Sequence, residues 1–412
     1  MYDVAIIGSG PAGISCAKNA LRYKLKPIII ERDISSFGGI CLTKGCIPTK
    51  FFLNSSKTNT NWSHVHEKKN ELVATMQKPL LHSLQSAGVD IAWAEATFLD
   101  AKTIKVGERE ISAHHIIIAS GAYPQKIAEG KNVLYAEDIF DCAKIGEKFL
   151  IVGAGYTGME LASLLNAFGK KVWVVEKEEG IIPFFDSYLA GRLKIILEKK
   201  GIRIDVGKTL SDCNQADFDN VIIAVGRHPN TKNLGLERVG VETKRGGWVK
   251  TDEYMRTNIE NIYACGDVTG AKLLAYIAEY QGQLCIHNIL GKNEKADYSK
   301  IPECVFSVPQ IAKVGVLEEE AKAKNLKYRV IKSNFLRYSC SYVYGDMDGF
   351  IEILLDKSDR IIGAGIISQF ASELISVLSL SMRNNLSLAD LKKNIFIHPT
   401  LSEIIPSLLR DS

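Results

Sequence analysis

Apolar residues in this chain gather into short continuous runs, and each run closes on a glycine or an acidic residue. Val4 to Ile7 ends at Gly8, Ile28-Ile29-Ile30 at Glu31, and Ile116-Ile117-Ile118-Ala119-Ser120 at Gly121. The same series returns in mid-chain, with Phe149 to Val152 ahead of Gly153, Val172 to Val175 ahead of Glu176, and Val221 to Val225 ahead of Gly226. Unbroken apolar runs of this length suit parallel strands covered on both faces. Beyond about residue 300 the pattern changes. Leu317 to Leu326 reads as a helix, and Phe350 to Leu355 and Arg360 to Ile367 read as strands joined through Lys357-Ser358-Asp359. A helix that buries Ala371, Leu374, Ile375, Leu378 and Met382 follows, which together predict an antiparallel α+β unit. The polar stretch Asn54 to Asn70 reads as an exposed connection or helix end.

The two series share a turn as well as strands. Gly8, Gly10 and Gly13 form GxGxxG between strand and helix, with Pro11 suited to the first helical turn, and Gly153, Gly155 and Gly158 repeat it. Gly8 to Glu31 spans 23 positions (31 − 8), as does Gly153 to Glu176 (176 − 153). Glycine there permits a tight turn and lets backbone N–H groups approach a pyrophosphate at the helix N-terminus, while the acidic strand end accepts from a ribose hydroxyl. One such turn alone is weak testimony. Two matched units predict two bound dinucleotides.

Composition narrows the partners. With 412 residues, two to four domains are expected. A 46% hydrophobic content, 24% charge and a net charge of +4 describe an ordinary soluble surface, with no basic excess that asks for nucleic acid or membrane. The opening Met1-Tyr2-Asp3 runs straight into an apolar strand, so a cytoplasmic protein is expected. Nine cysteines are scattered through a long chain, unlike a secreted disulfide framework, and no metal site is expected.

Among these cysteines, Cys41 and Cys46 lie in Gly38-Gly39-Ile40-Cys41-Leu42-Thr43-Lys44-Gly45-Cys46-Ile47-Pro48-Thr49-Lys50. On an ideal helix, residues five apart would have Cα atoms roughly 8–9 Å apart, beyond the ~7 Å reach of a disulfide, so bonding requires a distorted segment. Gly45 and the glycine pair supply that freedom. Pro48 suits the first turn of a helix through Lys50 and Leu53, which leaves Cys46 near its positive end, where a thiolate is favoured. Two structural thiols remain the alternative. Near the C-terminus, Thr400-Leu401-Ser402-Glu403 has the form of a capping box, with His398 a bystander.

The cysteine string resembles the redox-active CxxxxC of the class I pyridine nucleotide-disulfide oxidoreductases, and is most similar to the dihydrolipoamide dehydrogenase version, GGTCLNVGCIPSK. The likeness extends through both fingerprints, Ile118-Ala119-Ser120-Gly121, Ala224-Val225-Gly226-Arg227, Tyr263-Ala264-Cys265-Gly266-Asp267-Val268 and His398-Pro399-Thr400-Leu401-Ser402-Glu403. It implies two Rossmann-like dinucleotide-binding domains, for FAD and NAD, plus a C-terminal α+β dimerisation domain. The expected division is 1–146 and 229–298 for FAD, 147–228 for NAD and 299–412 for the interface of a homodimer. Cys41 would exchange disulfide with substrate and Cys46 would rest as a thiolate against the flavin. Gly8, Gly10, Gly13, Glu31, Lys50, Gly121, Gly266 and Asp267 would serve FAD; Gly153, Gly155, Gly158, Glu160, Glu176 and Gly226 would serve NAD. Lys50 would pair with Glu160. His398, oriented by Glu403, would act as acid and base from the other subunit. The implied reaction is oxidation of dihydrolipoamide by NAD⁺, and the implied partner is a lipoyl-bearing protein of a 2-oxo acid dehydrogenase or glycine cleavage system.

Departures bear on the substrate. Thr43-Lys44 replaces Asn-Val, Phe396 replaces a histidine, and Gln310 follows Pro309 where Glu is usual. A cation at Lys44 favours the thiolates and could also favour an acidic disulfide such as glutathione. The other readings are therefore an NAD(P)H-dependent reductase of such a small disulfide, or a flavin-binding subunit with little turnover.

Overall fold

Burial on both faces turns the apolar runs into strands. In a computed structural model, which describes residues 1–410, Tyr2–Ile7 pairs in parallel with Pro27–Glu31 on one side and with the second half of Arg109–Ile118 on the other. Ile6, Ile29 and Ile117 at its centre are wholly buried. Asp90–Trp93 extends this first sheet beyond Pro27–Glu31, and Ile262–Ala264 pairs in parallel beside Ile116 to Ile118. Ala96–Phe98 and Thr103–Val106 add an antiparallel meander.

A second, wholly parallel sheet runs Arg203–Val206, Lys171–Glu176, Lys148–Val152, Asn220–Ile223 and Val133–Tyr135. Its last strand comes from the chain ahead of residue 147. A two-stranded antiparallel ribbon, Ala122–Pro124 with Arg227–Pro229, links the two sheets, with Gly121 (φ 73°) and Gly226 (φ 120°) at its corners.

The third sheet is antiparallel, in the order Glu303–Val305, Gln310–Gly315, Ile361–Ser368, Phe350–Leu355 and Arg329–Asn334. Side chains alternate across it, so its two faces build different cores. Ala312, Val314, Ile351 and Ile366 meet Ala371, Leu374, Ile375, Leu378 and Met382 of the helix Ala371–Arg383. Val305, Ile311, Phe350 and Ile367 instead join Leu189 and Leu193 of the second unit. The apolar face of helix Ala371–Arg383 is thus spent inside its own subunit.

The stretch Asn54 to Asn70 is more ordered than its polarity predicts. A helix, Trp62–Ser86, begins there with the Asn61 side chain accepting from His64 N at 3.1 Å. Trp62 packs on Phe52 of the cysteine helix, ring centroids 4.5 Å apart. Among the described residues no helix is long and apolar enough to cross a membrane.

Candidate active site

The two glycine turns are near copies. Gly8 and Gly153 have φ of 109° and 104°, and each donates its N–H at 2.8 Å to the next strand, at Ile30 O and Val175 O. A Cβ on Gly13 would lie 1.9 Å from Gly8 O, and one on Gly158 would lie 1.9 Å from Gly153 O. No side chain caps the helices Pro11–Arg22 and Tyr156–Ala167, which start at Gly10 and Gly155 with the backbone extended. Bare helix starts with closely approachable backbone are what a pyrophosphate requires. The strand-end carboxylates are buried and held by the turns. Glu31 accepts from Ser9 N, Ser9 Oγ and Arg32 N, and Glu176 accepts from Ala154 N and Glu178 N. With about four acceptor positions per carboxylate, each retains capacity for a ribose hydroxyl.

The cysteine segment docks on the first turn. Gly39, at φ 70°, lies so close to Gly10 that a Cβ on it would be 2.7 Å from the Gly10 Cα. Helix Gly39–Thr43 carries Cys41, the helix breaks at Lys44-Gly45, and Cys46 opens the helix Cys46–Ser55 as its first residue. The pair therefore does not sit on one continuous helix, and both cysteines are free thiols here. They are not equivalent. The neighbouring Cys41 thiol and the charge of Lys50 lower the Cys46 pKa, against desolvation and Glu160. The neighbouring Cys46 and burial push the Cys41 thiol up. Of the pair, Cys46 is the one whose surroundings favour ionisation.

Around them, Lys50 Nζ bonds Glu160 Oε2 at 2.9 Å and lies 4.0 Å from the Phe306 ring centroid. Glu160 Oε1 accepts from Phe306 N at 3.0 Å. These two charges, which could have been unrelated helix surface, join the cysteine helix to the second fingerprint helix. Lys44 is ion-paired with Asp141 at the surface. Gly266 (φ 75°) donates to the buried Gln281 Oε1 at 2.7 Å. At Asp267, burial raises the carboxyl pKa while the Arg227 guanidinium opposes it.

At the other end of the chain, His398 Nδ1 bonds Glu403 Oε2 at 2.8 Å, and the imidazole is 72% exposed. Thr400 makes no side-chain cap; its hydroxyl donates to Ile397 O. The capping-box alternative therefore fails, because the carboxylate that would complete it serves His398. Beside it, Tyr342, Val343, Ile395 and Ile397 are exposed, Ile395 at 93%.

Some residues in this region carried no signal in the sequence. Tyr156 donates its hydroxyl to Glu303, which also binds Lys272, and none of the three belongs to a spacing that calls attention to it. Gly282 was visible only as a glycine within a helical run; a Cβ there would sit 2.5 Å from Ala12 O.

Comparison with known proteins agrees with this geometry. Residues 2–282 match the family described as pyridine nucleotide-disulphide oxidoreductase, and residues 301–409 match that family's dimerisation domain. The dihydrolipoyl dehydrogenases of Chlamydia trachomatis and Bacillus subtilis are each 32% identical, over 98% of this chain and 95% and 94% of theirs. The HOCl-induced flavoprotein disulfide reductase RclA from Escherichia coli superposes with a TM-score of 0.92 at 26% identity, over 99% of both chains. LpdA from Mycobacterium tuberculosis superposes with a TM-score of 0.92 at 24% identity, over 100% of this chain and 99% of that one.

Proposed function

The chain belongs to the pyridine nucleotide-disulphide oxidoreductases, which use FAD and NAD(H), and on that premise we propose that it oxidises dihydrolipoamide with NAD⁺ as a cytoplasmic homodimer. The observation that carries this reading is the inequivalent cysteine pair, set between two dinucleotide turns with its thiolate member at a helix start. Gly8, Gly10, Gly13, Glu31, Lys50, Gly121, Gly266 and Asp267 would hold FAD. Gly153, Gly155, Gly158, Glu160, Glu176 and Gly226 would hold NAD. When bound, these cofactors supply the two-electron and hydride chemistry that side chains lack.

The protein's own part is thiol chemistry and proton transfer. With Cys41 and Cys46 oxidised to a disulfide, His398 of the partner subunit takes the proton from one substrate thiol, and Glu403 steadies the imidazolium. The substrate thiolate attacks Cys41 Sγ, the S–S bond breaks, and Cys46 leaves as the thiolate its helix start and Lys50 favour. The second substrate thiol attacks the mixed disulfide and Cys41 is expelled, taking up a proton. One dithiol is oxidised, and the cysteine pair holds both electrons.

Two observations bear on specificity. With Lys44 ion-paired to Asp141, an acidic disulfide at the cysteine loop would compete with that carboxylate for the cation, which favours lipoamide over glutathione. Glu176 favours NAD because a carboxylate repels a 2′-phosphate, and the neighbouring Lys177 reaches Glu178, at 3.4 Å. The natural substrate is then a lipoyl group on an acyl-transfer protein of a 2-oxo acid dehydrogenase or on the glycine cleavage carrier.

A steady-state comparison tests this. The expected order of kcat/KM for NADH-dependent reduction is lipoamide above glutathione disulfide and quinones, with NADPH inferior to NADH. Anaerobic two-electron reduction should also give a long-wavelength charge-transfer absorbance that Cys46→Ser abolishes. Preference for glutathione disulfide would overturn the substrate; FAD-loaded protein without the absorbance would leave a binding subunit with little turnover.

A further inference from the structure

Strand Glu303–Val305 and the residue after it grip the second fingerprint helix at two points one turn apart. Phe306 N bonds Glu160, as described above, and Glu303 Oε2 accepts from the Tyr156 hydroxyl. Glu303 is itself pinned from two further directions. Lys272, just past the Gly266-Asp267 turn, binds its other oxygen, and Lys313 Nζ lies 3.9 Å away on the adjacent strand. Burial opposes ionisation of this carboxyl, but Lys272, Tyr156 and Lys313 outweigh it and hold its pKa below the usual range. Burial and Glu303 push the Tyr156 phenol up, so it stays the donor. Lys313 also donates to Phe184 O. The Phe184 ring lies flat on Tyr156, centroids 4.2 Å apart and 6° from parallel, and its Cζ is 3.9 Å from where a Gly155 Cβ would be.

The proposed placement of NAD puts this junction on the path of the ligand. With its pyrophosphate at the Gly155 turn, the dinucleotide would point its reactive end toward the Lys50–Glu160 pair, beside the cysteine helix. Between those points lies Tyr156, one residue beyond the turn and one helical turn before Glu160. Resting on the function proposed above, we infer that Glu303 is a positioning residue for the nicotinamide half of NAD(H): through the Tyr156 hydroxyl it sets the aromatic surface against which the ring seats. The adenosine half, held by the glycine turn and Glu176, does not depend on it.

Binding separates this role from a structural one. ADP-ribose shares the adenosine and pyrophosphate with NAD⁺ but lacks the nicotinamide, and neither reduces the oxidised protein. Titrations of both into full-length, FAD-loaded, oxidised protein, followed calorimetrically, compare wild type, Glu303→Gln, Tyr156→Phe and the double variant. Glu303→Gln should weaken NAD⁺ about tenfold, the size of one lost hydrogen bond to a charged group. ADP-ribose should stay within about twofold on the same arithmetic. Tyr156→Phe, which keeps the ring stack, should reproduce the pattern, and the double variant should be no worse than either single change. Equal weakening of both ligands makes Glu303 a structural tie and overturns the inference, as does unchanged NAD⁺ binding. Wild-type protein that binds neither ligand overturns the proposed function, and this inference with it.

Discussion

Glu352 is the side chain whose surroundings fit its chemistry least. It is wholly buried in strand Phe350–Leu355, neither carboxylate oxygen has a hydrogen-bond partner, and Lys332 Nζ is 3.4 Å away. Burial first, then Asp186 and Glu318, push its pKa up to about 7, against the pull of Lys332. An unfolded glutamate titrates near about 4.3. Between these values the folded state binds the extra proton, so stability falls as pH rises from about 4 to about 7 and then levels off for this group. Glu352→Gln removes that dependence. Melting temperatures at pH 5 and pH 8 should show the variant gaining on wild type only at the higher pH, with a full linkage on the order of 3 kcal/mol. A gain or loss that is the same at both values would show that Glu352 does not titrate in this range. The sequence shows only a charged residue in an apolar strand; that it is buried without a hydrogen bond, beside Lys332, is a tertiary fact.

At the scale of elements, legibility followed burial. Strands covered on both faces declare themselves as unbroken apolar runs, and the glycine turns between them by spacing. Helix Trp62–Ser86 does not, because most of its surface is solvated and only a few residues such as Trp62 and Val65 turn inward. Helix Ala371–Arg383 displayed its apolar stripe plainly, but a stripe does not say which core it enters, and this one fills its own subunit. The approach of Gly39 to Gly10, which brings the cysteines to the first dinucleotide turn, joins positions 29 apart (39 − 10) and has no local signature. The duplicated turns give an element-scale prediction. The 1.9 Å clash of a Cβ at Gly13 or Gly158 is with backbone, which cannot step aside as a side chain can. Gly13→Ala should purify largely without flavin, read as visible absorbance per chain. Gly158→Ala should keep its flavin and weaken NADH by about tenfold or more. If both variants retained both ligands, the turns would not be the dinucleotide sites.

Across the whole molecule, the proposed acid–base pair and the proposed thiol pair belong to different units. His398 and Glu403 lie after the third sheet, and among the described residues the only side-chain hydrogen bond of the imidazole is to Glu403. Cys41 and Cys46 ride on the first dinucleotide unit. Around His398, the exposed Tyr342, Val343, Ile395 and Ile397 form an apolar surface of the kind that marks an association site, and they fall within the segment that matches the dimerisation domain. A twofold dimer would cover this surface and supply His398 to the partner's cysteines. Dimerisation alone does not establish the shared site, but subunit mixing does. Cys41→Ser and His398→Ala chains, each inactive as a homodimer, combine into heterodimers with one site carrying both lesions and the other carrying neither. If His398 acts across the interface, dithiol oxidation should recover to about half the wild-type activity per heterodimer, because one of two twofold-related sites is whole. If His398 serves its own subunit, every site retains one lesion, and the mixture stays as inactive as its parents.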